Sequence, residues 1–136
     1  MILVDAGPLV ALIDSEDPYH AICVEVAAQL PNDPMLTTWP CFTEAMYLLG
    51  RSAGAPGQES LWSSVERRAV RFWDIEPEYL ARMAELMKQY RDLPMDVADA
   101  SLVVAAEVTG LRKVFSLDKH FRIYRLKDGS VLEVVP

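Results

Sequence analysis

Short apolar runs alternate along the chain with longer stretches in which apolar residues recur every three or four positions. The run Ile2–Val4 is continuous and apolar, which is typical of a strand buried in a parallel sheet. Further strands are predicted at 35–38, 70–75 and 113–116. This alternation of strands and helical stretches favours an α/β fold with a mainly parallel sheet.

The helical stretches can be placed by their periodicity and by the prolines at their starts. Helices are predicted at 8–13, 19–30, 40–50, 59–69, 77–90 and 97–109. The last is apolar on nearly every face, so we expect it to be buried and to end at Gly110. The Gly- and Pro-rich stretch 52–58 predicts a loop, and 123–135, interrupted at 127–129, predicts a hairpin or a pair of edge strands.

Length and composition indicate one domain, residues 1–136, with a substantial core, because 51% of the residues are apolar. No run approaches the roughly 20 apolar residues of a membrane helix. The N-terminus lacks the basic region of a signal peptide, so we expect a cytoplasmic protein without membrane contact. Cys23 and Cys41 have no metal-ligand spacing and are expected to be buried, reduced thiols; a single disulfide is the alternative.

Charge is distributed unevenly beneath a net charge of −7. Residues 1–50 contain seven acids and no Lys or Arg, so all 13 basic residues lie in 51–136. A pI near 4.7 argues against a general nucleic-acid coat protein, but it allows an enzyme that holds a short RNA in a local basic groove. Six basic residues lie near the end of the chain, where a solvated face is the alternative interpretation: Arg112, Lys113, Lys119, Arg122, Arg125 and Lys127.

Acidic residues follow two of the predicted strands and begin one of the helices. Asp5 follows the first apolar run, Asp118 follows the run at 113–116, and Asp96 and Asp99 stand at the start of the helix 97–109. In open α/β sheets, ligands bind outside the carboxyl ends of the strands. Carboxylates gathered there repel one another unless a hard cation such as Mg²⁺ or Mn²⁺ neutralises them. The pattern therefore points to phosphoryl-transfer or phosphodiester chemistry.

Each acid also has a purely structural interpretation. Asp5, Asp96 and Asp118 could cap helices, and Glu44 could be a solvated helix residue. Asp99 fits less well, because it lies in a helix that buries most of its surface, and an unpaired buried carboxylate costs several kcal/mol. Asp99 therefore needs a cation or hydrogen-bond donors. No single position is compelling, but the set of acids is.

The chain resembles PIN-domain proteins, in particular the small bacterial VapC-type toxin ribonucleases. Four stretches agree in order and spacing: 4–10 (VDAGPLV), 43–45 (TEA, preceded by Trp39 and Pro40), 94–103 (PMDVADASLV) and 114–121 (VFSLDKHF). The resemblance implies a three-layer α/β/α sandwich. It also implies that the family's acidic quartet is Asp5, Glu44, Asp99 and Asp118, with Asp96 an additional acid. Ala6 and Gly7 depart from the pattern, because many relatives carry a serine two residues after the first aspartate.

The same resemblance implies a metal-dependent endoribonuclease. Asp5 and Asp99 would hold Mg²⁺ or Mn²⁺, while Asp118 and Glu44 would bind a second ion or orient water. Contacts to the RNA backbone would be made by Lys119, Arg122 and Arg125. The implied partners are an RNA substrate, a small antitoxin protein and a second copy of the chain in a homodimer.

Two other classes of function are open to the sequence. A receiver-like phosphotransfer domain also clusters acids at strand ends, but it normally needs a second acid beside the first strand, and Met1 to Val4 offer none. A PIN fold without catalysis could act as a protein-binding module. That alternative gives no reason for the presence of all four acids of the family's quartet.

Overall fold

Five three-residue strands form one parallel sheet in the structure, a computed structural model that describes all residues 1–136. The strands are β1 (Ile2–Val4), β2 (Met35–Thr37), β3 (Val70–Phe72), β4 (Lys113–Phe115) and β5 (Glu133–Val135). They lie in the order β3-β2-β1-β4-β5, and every neighbouring pair is parallel. The chain moves outward from β1 in one direction and later returns to its other side, so the topological switch point lies between β1 and β4.

Six helices cover the two faces of this sheet. They are α1 (Ala6–Ile13), α2 (His20–Gln29), α3 (Trp39–Ser52), α4 (Gly54–Glu66), α5 (Leu80–Gln89) and α6 (Val97–Thr109). Short 3₁₀ turns span Pro77–Tyr79 and Lys119–Arg122. None of the helices combines the length and the apolar character needed to cross a membrane.

The sheet divides the apolar core into two clusters, because successive side chains of a strand point to opposite faces. Leu3 packs with residues of α5 and α6, whereas its neighbours Ile2 and Val4 pack with residues of α1, α3 and α4. β4 divides in the same way between Val114 and Phe115. The predicted three-layer α/β/α sandwich is confirmed.

Helix α6 is the most deeply buried element, as its apolar faces predicted. Every residue from 98 to 106 is buried, including Asp99 and Ser101. The helix ends at Gly110, which has φ +82° and donates its N–H to the Ala106 carbonyl. A left-handed residue at this position is easily supplied by glycine, so this predicted helix end is also confirmed.

The predicted loop at 52–58 was wrong, because α4 begins at Gly54 and only Ala53 separates it from α3. Gly54 has φ +66°, and this conformation reverses the chain within a single residue. Pro56 lies in the first turn of α4, where a missing N–H breaks no helical hydrogen bond. Gly57 is buried, and a Cβ there would lie 2.7 Å from the Cβ of Ala53. The small residues of this stretch allow a tight junction between α3 and α4. In the sequence alone, the same composition looks like that of a loop.

The end of the chain differs in part from the prediction. The hairpin is reduced to one antiparallel bridge between Arg125 and Val131, closed by a turn in which Gly129 has φ +84°. The chain then forms a single edge strand, β5, which pairs with β4 in parallel. Leu126 and Leu132 are both buried, so packing of this loop against the core replaces a longer hairpin ladder.

A half-buried ion pair joins α5, α6 and this C-terminal loop. Arg82 donates from Nε and Nη2 to the two carboxylate oxygens of Glu107, at 3.1 and 2.8 Å. Glu107 also accepts the Lys127 N–H at 2.7 Å, and the Arg82 and Glu107 side chains are 15% and 12% exposed. Hydrogen bonds to charged groups that are shielded from water contribute more than surface pairs do.

We expect Glu107→Ala to lower the free energy of unfolding by about 2 kcal/mol, because it removes two of the hydrogen bonds of the Arg82 guanidinium, which keeps only its contact with Glu85, and leaves the Lys127 N–H without an acceptor. Glu133→Ala is the control, since Glu133 lies 3.8 Å from Lys113 in an exposed pair and should cost less than about 0.5 kcal/mol. Urea unfolding measures both variants. Equal losses would show that the Arg82–Glu107 pair adds no more than a surface contact.

Candidate functional site

Five carboxylates line one cleft at the carboxyl ends of the central strands. Asp5 follows β1, Asp118 follows β4, Glu44 projects from α3, and Asp96 and Asp99 begin α6. The cleft has a volume of about 300 Å³ and lies beside the switch point between β1 and β4. Open α/β sheets bind their ligands at such a crevice. The structure therefore brings together all five acids that the sequence singled out.

Asp5 is held by donors on both of its oxygens. Its Oδ1 accepts the Ala6 N–H at 2.8 Å, which caps α1, and its Oδ2 accepts the Ser116 hydroxyl at 2.9 Å. The same hydroxyl oxygen accepts the Asp118 N–H at 3.0 Å. Ser116 thus ties two acids of the cleft together, and it supplies the kind of hydroxyl that Ala6 and Gly7 lack. Sequence reasoning missed this role, although Ser116 stands two residues before Asp118.

Asp99 is buried, with only 6% of its surface exposed, and it is held by a second buried group. The hydroxyl of Tyr124, which is fully buried, donates to Asp99 Oδ2 at 2.7 Å. No donor contacts the other oxygen, Oδ1. The donor that the buried Asp99 was expected to require is therefore present. Tyr124 itself was not predicted, since 25 residues separate it from Asp99 and no local motif links them.

The remaining acids combine local structural roles with their place in the cleft. Asp96 accepts the Asp99 N–H at 2.8 Å, which confirms it as the N-cap of α6. Asp118 accepts the His120 N–H at 2.9 Å and caps the Lys119–Arg122 turn. Glu44 is exposed and accepts no hydrogen bond from the protein. Asp96 and Asp118 therefore cap helical segments and also line the cleft.

Crowding and burial change the proton affinity of three of these acids. Burial raises the pKa of Asp99 to about 8, with the Tyr124 hydroxyl opposing the rise and the neighbouring carboxylates adding to it. Burial also raises the pKa of Asp5, and hydrogen bonds from Ala6 and Ser116 oppose that rise. The pKa of Glu44 is raised by partial burial and by repulsion from the other acids. The charged form of the cleft is thus destabilised in the absence of a cation.

The donor chemistry of the cleft fits a hydrated Mg²⁺ or Mn²⁺ ion. All of the candidate ligands are carboxylate oxygens, the donors that hard cations prefer. No three of these side chains converge closely enough to enclose an ion by themselves. Mg²⁺ usually keeps several waters and takes one or two carboxylates directly, so it does not require a closed protein cage. Asp99 Oδ1 and the Glu44 carboxylate are free to serve as such ligands.

Two of the three predicted RNA-binding residues line a separate groove beside the cleft. This side groove has a volume of about 200 Å³ and shares Leu117 and Asp118 with the cleft. Its lining residues are Tyr19, Ile22, Ser116, Leu117, Asp118, Lys119, Arg122, Val134 and Pro136. Arg125 is not among them, because its guanidinium turns to the carbonyls of Arg122 and Ile123. The basic residues therefore do not form one continuous patch.

Both cysteines are free and buried, as expected of reduced thiols. Cys41 lies beneath the cleft, with its Sγ 3.7 Å from Asp5 Oδ1 and from the Ala98 carbonyl. Burial first, and then the neighbouring Asp5 carboxylate, raises the pKa of the Cys41 thiol well above its usual value. Cys41 is therefore a neutral packing residue at the base of the site.

Comparisons with known proteins agree with this architecture. A family model described as the PIN domain matches residues 2–126. The chain is 24% identical to Ribonuclease VapC26 of Mycobacterium tuberculosis, over 98% of this chain and 99% of the relative. Its fold is similar to that of M. tuberculosis VapC20, a toxin that cleaves the sarcin–ricin loop (TM-score 0.78, 18% identity, 87% and 90% covered). It is also similar to a toxin–antitoxin complex from Klebsiella pneumoniae (TM-score 0.60, 15% identity, 87% of both chains).

The raised pKa of Asp99 predicts how stability depends on pH without metal. Its folded pKa of about 8 exceeds the unfolded value near 3.9, so the folded state retains a proton that the unfolded state has lost. The contribution of Asp99 is therefore unfavourable above pH 8, shrinks as pH falls, and vanishes below about pH 4. We expect Asp99→Asn in EDTA to raise the free energy of unfolding at pH 8.5 by at least about 1 kcal/mol.

Two substitutions at Asp96 provide controls, measured by the same chemical unfolding at several pH values. Asp96→Asn should keep the cap and leave stability nearly unchanged, because Asn caps about as well as Asp. Asp96→Ala should cost about 1 kcal/mol through removal of the cap. A severe loss of stability in Asp99→Asn at pH 8.5 would instead make Asp99 a structural residue.

Proposed function

Because the chain belongs to the PIN-domain family, we propose that it is a Mg²⁺- or Mn²⁺-dependent endoribonuclease and the toxin of a toxin–antitoxin pair. The observation that carries this proposal is the cleft of five carboxylates, in which burial and mutual repulsion raise the pKa of three. A divalent cation would relieve that repulsion. Further support comes from the relatives, one named a ribonuclease and another a toxin that cleaves the sarcin–ricin loop. The match to the PIN model over 2–126 favours this function over a receiver-like phosphotransfer domain.

In this proposal Asp5 and Asp99 hold the ion, while Asp118 and Glu44 bind a second ion or orient water. A bound metal ion would lower the pKa of its coordinated water and stabilise the negative charge on the scissile phosphate. Ser116 and Tyr124 fix Asp5 and Asp99 by hydrogen bonds of 2.9 and 2.7 Å, so that these carboxylates need little reorganisation. Glu44 has a raised pKa and no protein donor, so it can take the proton of the attacking water.

RNA would reach this cleft through contacts outside it, because phosphates and the five carboxylates carry the same sign of charge. Lys119 and Arg122 lie in the side groove directly beside Asp118 and can pair with backbone phosphates. Such contacts provide affinity that falls as the salt concentration rises. Arg125 stays a predicted RNA contact, although it does not line the side groove.

We propose two protein partners as well. A similar structure from K. pneumoniae is a toxin–antitoxin complex, which supports a small antitoxin as the first partner. The second is another copy of the chain. Trp39, Tyr47 and Trp62 on α3 and α4 form an aromatic face and are 45%, 61% and 46% exposed. Exposed apolar patches of this kind are typical of protein interfaces, which supports a homodimer contact there.

The metal-dependence test measures both binding and chemistry. Mn²⁺ or Mg²⁺ should raise Tm because an ion that binds only the folded state stabilises it, by about 2.7 kcal/mol at 100 times Kd. EDTA should reverse the shift, and single-stranded RNA should be cleaved only with metal. Asp99→Asn should abolish cleavage, whereas Asp96→Asn should retain much of it.

The outcomes of this experiment separate the remaining alternatives. An unchanged Tm at millimolar metal would count against any metal site. A clear shift without cleavage of RNA would favour a catalytically silent binding module. Wild-type activity in Asp99→Asn would remove Asp99 from the catalytic set.

RNA affinity should depend on the basic residues of the side groove. In an Asp99→Asn background, which prevents cleavage, Lys119→Ala with Arg122→Ala should weaken RNA binding at all sequences. The slope of log K against log salt should fall by about 0.7 for each phosphate of the single strand that the protein no longer neutralises. Arg125→Ala tests the third predicted RNA-binding residue. If this variant keeps the parent's salt slope, the RNA contacts the side groove and not Arg125. A double variant with the parent's slope would place the RNA path elsewhere.

A further inference from the structure

We propose that the side groove is a subsite for one unpaired base of the RNA, stacked on Tyr19 beside the scissile phosphate. This inference rests on the proposed nuclease function and specifies its substrate: single-stranded RNA, or an unpaired loop, in which the nucleotide next to the cleaved bond is unstacked from its neighbours. Neither Tyr19 nor Ile22 was part of the predicted site.

The position of the groove relates it to the reaction. It shares Leu117 and Asp118 with the acid cleft, so the two spaces lie side by side, one on each side of this residue pair. A strand whose phosphate lies among the carboxylates therefore places an adjacent nucleotide in the groove.

The distribution of charge favours a path for the RNA strand through the side groove. No Lys or Arg lines the acid cleft, whereas Lys119 and Arg122 both line the side groove. Lys119 is exposed and makes no ion pair or hydrogen bond within the protein, so its ammonium is available to a phosphate. Arg122 uses Nη2 to donate to the Pro136 carbonyl at 3.1 Å, which leaves its other guanidinium nitrogens available.

The walls of the groove suit a base better than a second phosphate. Tyr19 and Ile22 present exposed apolar side chains, 54% and 44% exposed, on one side. Val134 and Pro136 contribute further apolar surface. A flat aromatic ring stacks with any base, and such stacking contributes roughly 1–3 kcal/mol per base in single-strand binding proteins.

The backbone of Tyr19 is also held in place before RNA arrives. Its backbone N–H donates to Asp17 Oδ1 at 2.8 Å, and its carbonyl accepts the Cys23 N–H at 3.0 Å in the first turn of α2. The next residue, His20, contacts the Ala11 carbonyl through Nδ1 at 2.6 Å and ties this turn to α1. Stacking on a fixed backbone costs less ordering entropy than stacking on a mobile loop.

The aromatic face of α3 and α4 is the competing stacking surface, and it fits RNA less well. The cavity beside Trp39 and Trp62 is lined by no Lys or Arg, and it shares no residue with the acid cleft. Arg51 lies over the Tyr47 ring, 5.8 Å from its centroid, but it does not line this cavity, so the space beside Trp39 and Trp62 offers a polyanion little compensation for its charge. The side groove is therefore the better base subsite.

The test is a double-mutant cycle between Tyr19 and the RNA. The probe is a fluorescein-labelled 12-nucleotide single-stranded RNA that the wild type cleaves in Mn²⁺, with the cleaved bond mapped. Binding is measured by anisotropy in the Asp99→Asn background, and abasic nucleotides replace each position near the cleaved bond in turn. Tyr19→Ala should weaken binding roughly 5- to 100-fold, and Tyr19→Phe should retain parent affinity because the ring remains.

At one position, an abasic nucleotide should weaken binding by as much as Tyr19→Ala does. At that position, deleting the base and deleting the ring remove the same interaction, so the two changes together should weaken binding no more than either change alone. Val24→Ala is the control on the same helix, since Val24 is 44% exposed and lies outside the groove. It should bind RNA like the parent, and thermal melts check that every variant is folded.

The outcomes distinguish this subsite from the nuclease proposal. Wild-type cleavage together with parent-like binding by Tyr19→Ala would overturn the subsite and leave the nuclease intact. Additive losses at every abasic position, or loss of affinity in Tyr19→Phe, would also overturn it, because the ring would not be stacking on a base. No cleavage of any RNA in Mn²⁺ would instead reject the nuclease proposal.

Discussion

Burial of carboxylates in one cleft, with repulsion between their like charges added, is the constraint on which the site depends. The Asp99 carboxyl is 6% exposed, and its pKa of about 8 means that the metal-free protein holds it largely protonated at neutral pH. The surrounding structure reduces this penalty with specific donors, notably Tyr124 at Asp99 and Ser116 at Asp5. A divalent cation would remove much of what is left, which couples metal binding to stability. In the proposed function, the burial and repulsion that weaken the metal-free fold would be available as metal affinity.

Helix capping and the proposed chemistry draw on the same carboxylates. Asp5, Asp96 and Asp118 each accept a backbone N–H at the start of a helical segment. A cap fixes a side chain with one oxygen directed at the backbone, which also fixes the direction of the other oxygen. Structural and functional interpretations of these residues are therefore not exclusive. Substitution by Asn separates them, because it preserves the cap while removing the charge.

The order of the strands brings together acidic and basic residues from distant parts of the chain. β1, from the acidic first part of the sequence, lies beside β4, from the part that contains the basic residues. Asp5 and Lys119 therefore approach the same edge of the sheet, although they lie near opposite ends of the chain. The only charged residues that line the cleft are acids, whereas Lys119 and Arg122 line the side groove next to it. In the proposed nuclease, metal and RNA backbone would occupy these adjacent surfaces of opposite charge.

Local patterns in the sequence were sufficient for most of the elements, the fold class and four of the five acids, because strand periodicity, helix caps and strand-end carboxylates are short-range signals. Glu44 came only from the resemblance to PIN-domain proteins. Local patterns failed at 52–58, where Gly54 turns the chain between two helices and Gly57 lets them pack closely, so this stretch has the composition of a loop. They also gave no sign of Tyr124 at Asp99, or of Tyr19 in the same groove as Lys119. Those residues come from segments that are distant in the chain, and only the packing of the sheet and helices brings them to one place. The sequence determined which residues have the chemistry, and the tertiary structure decided which of them meet.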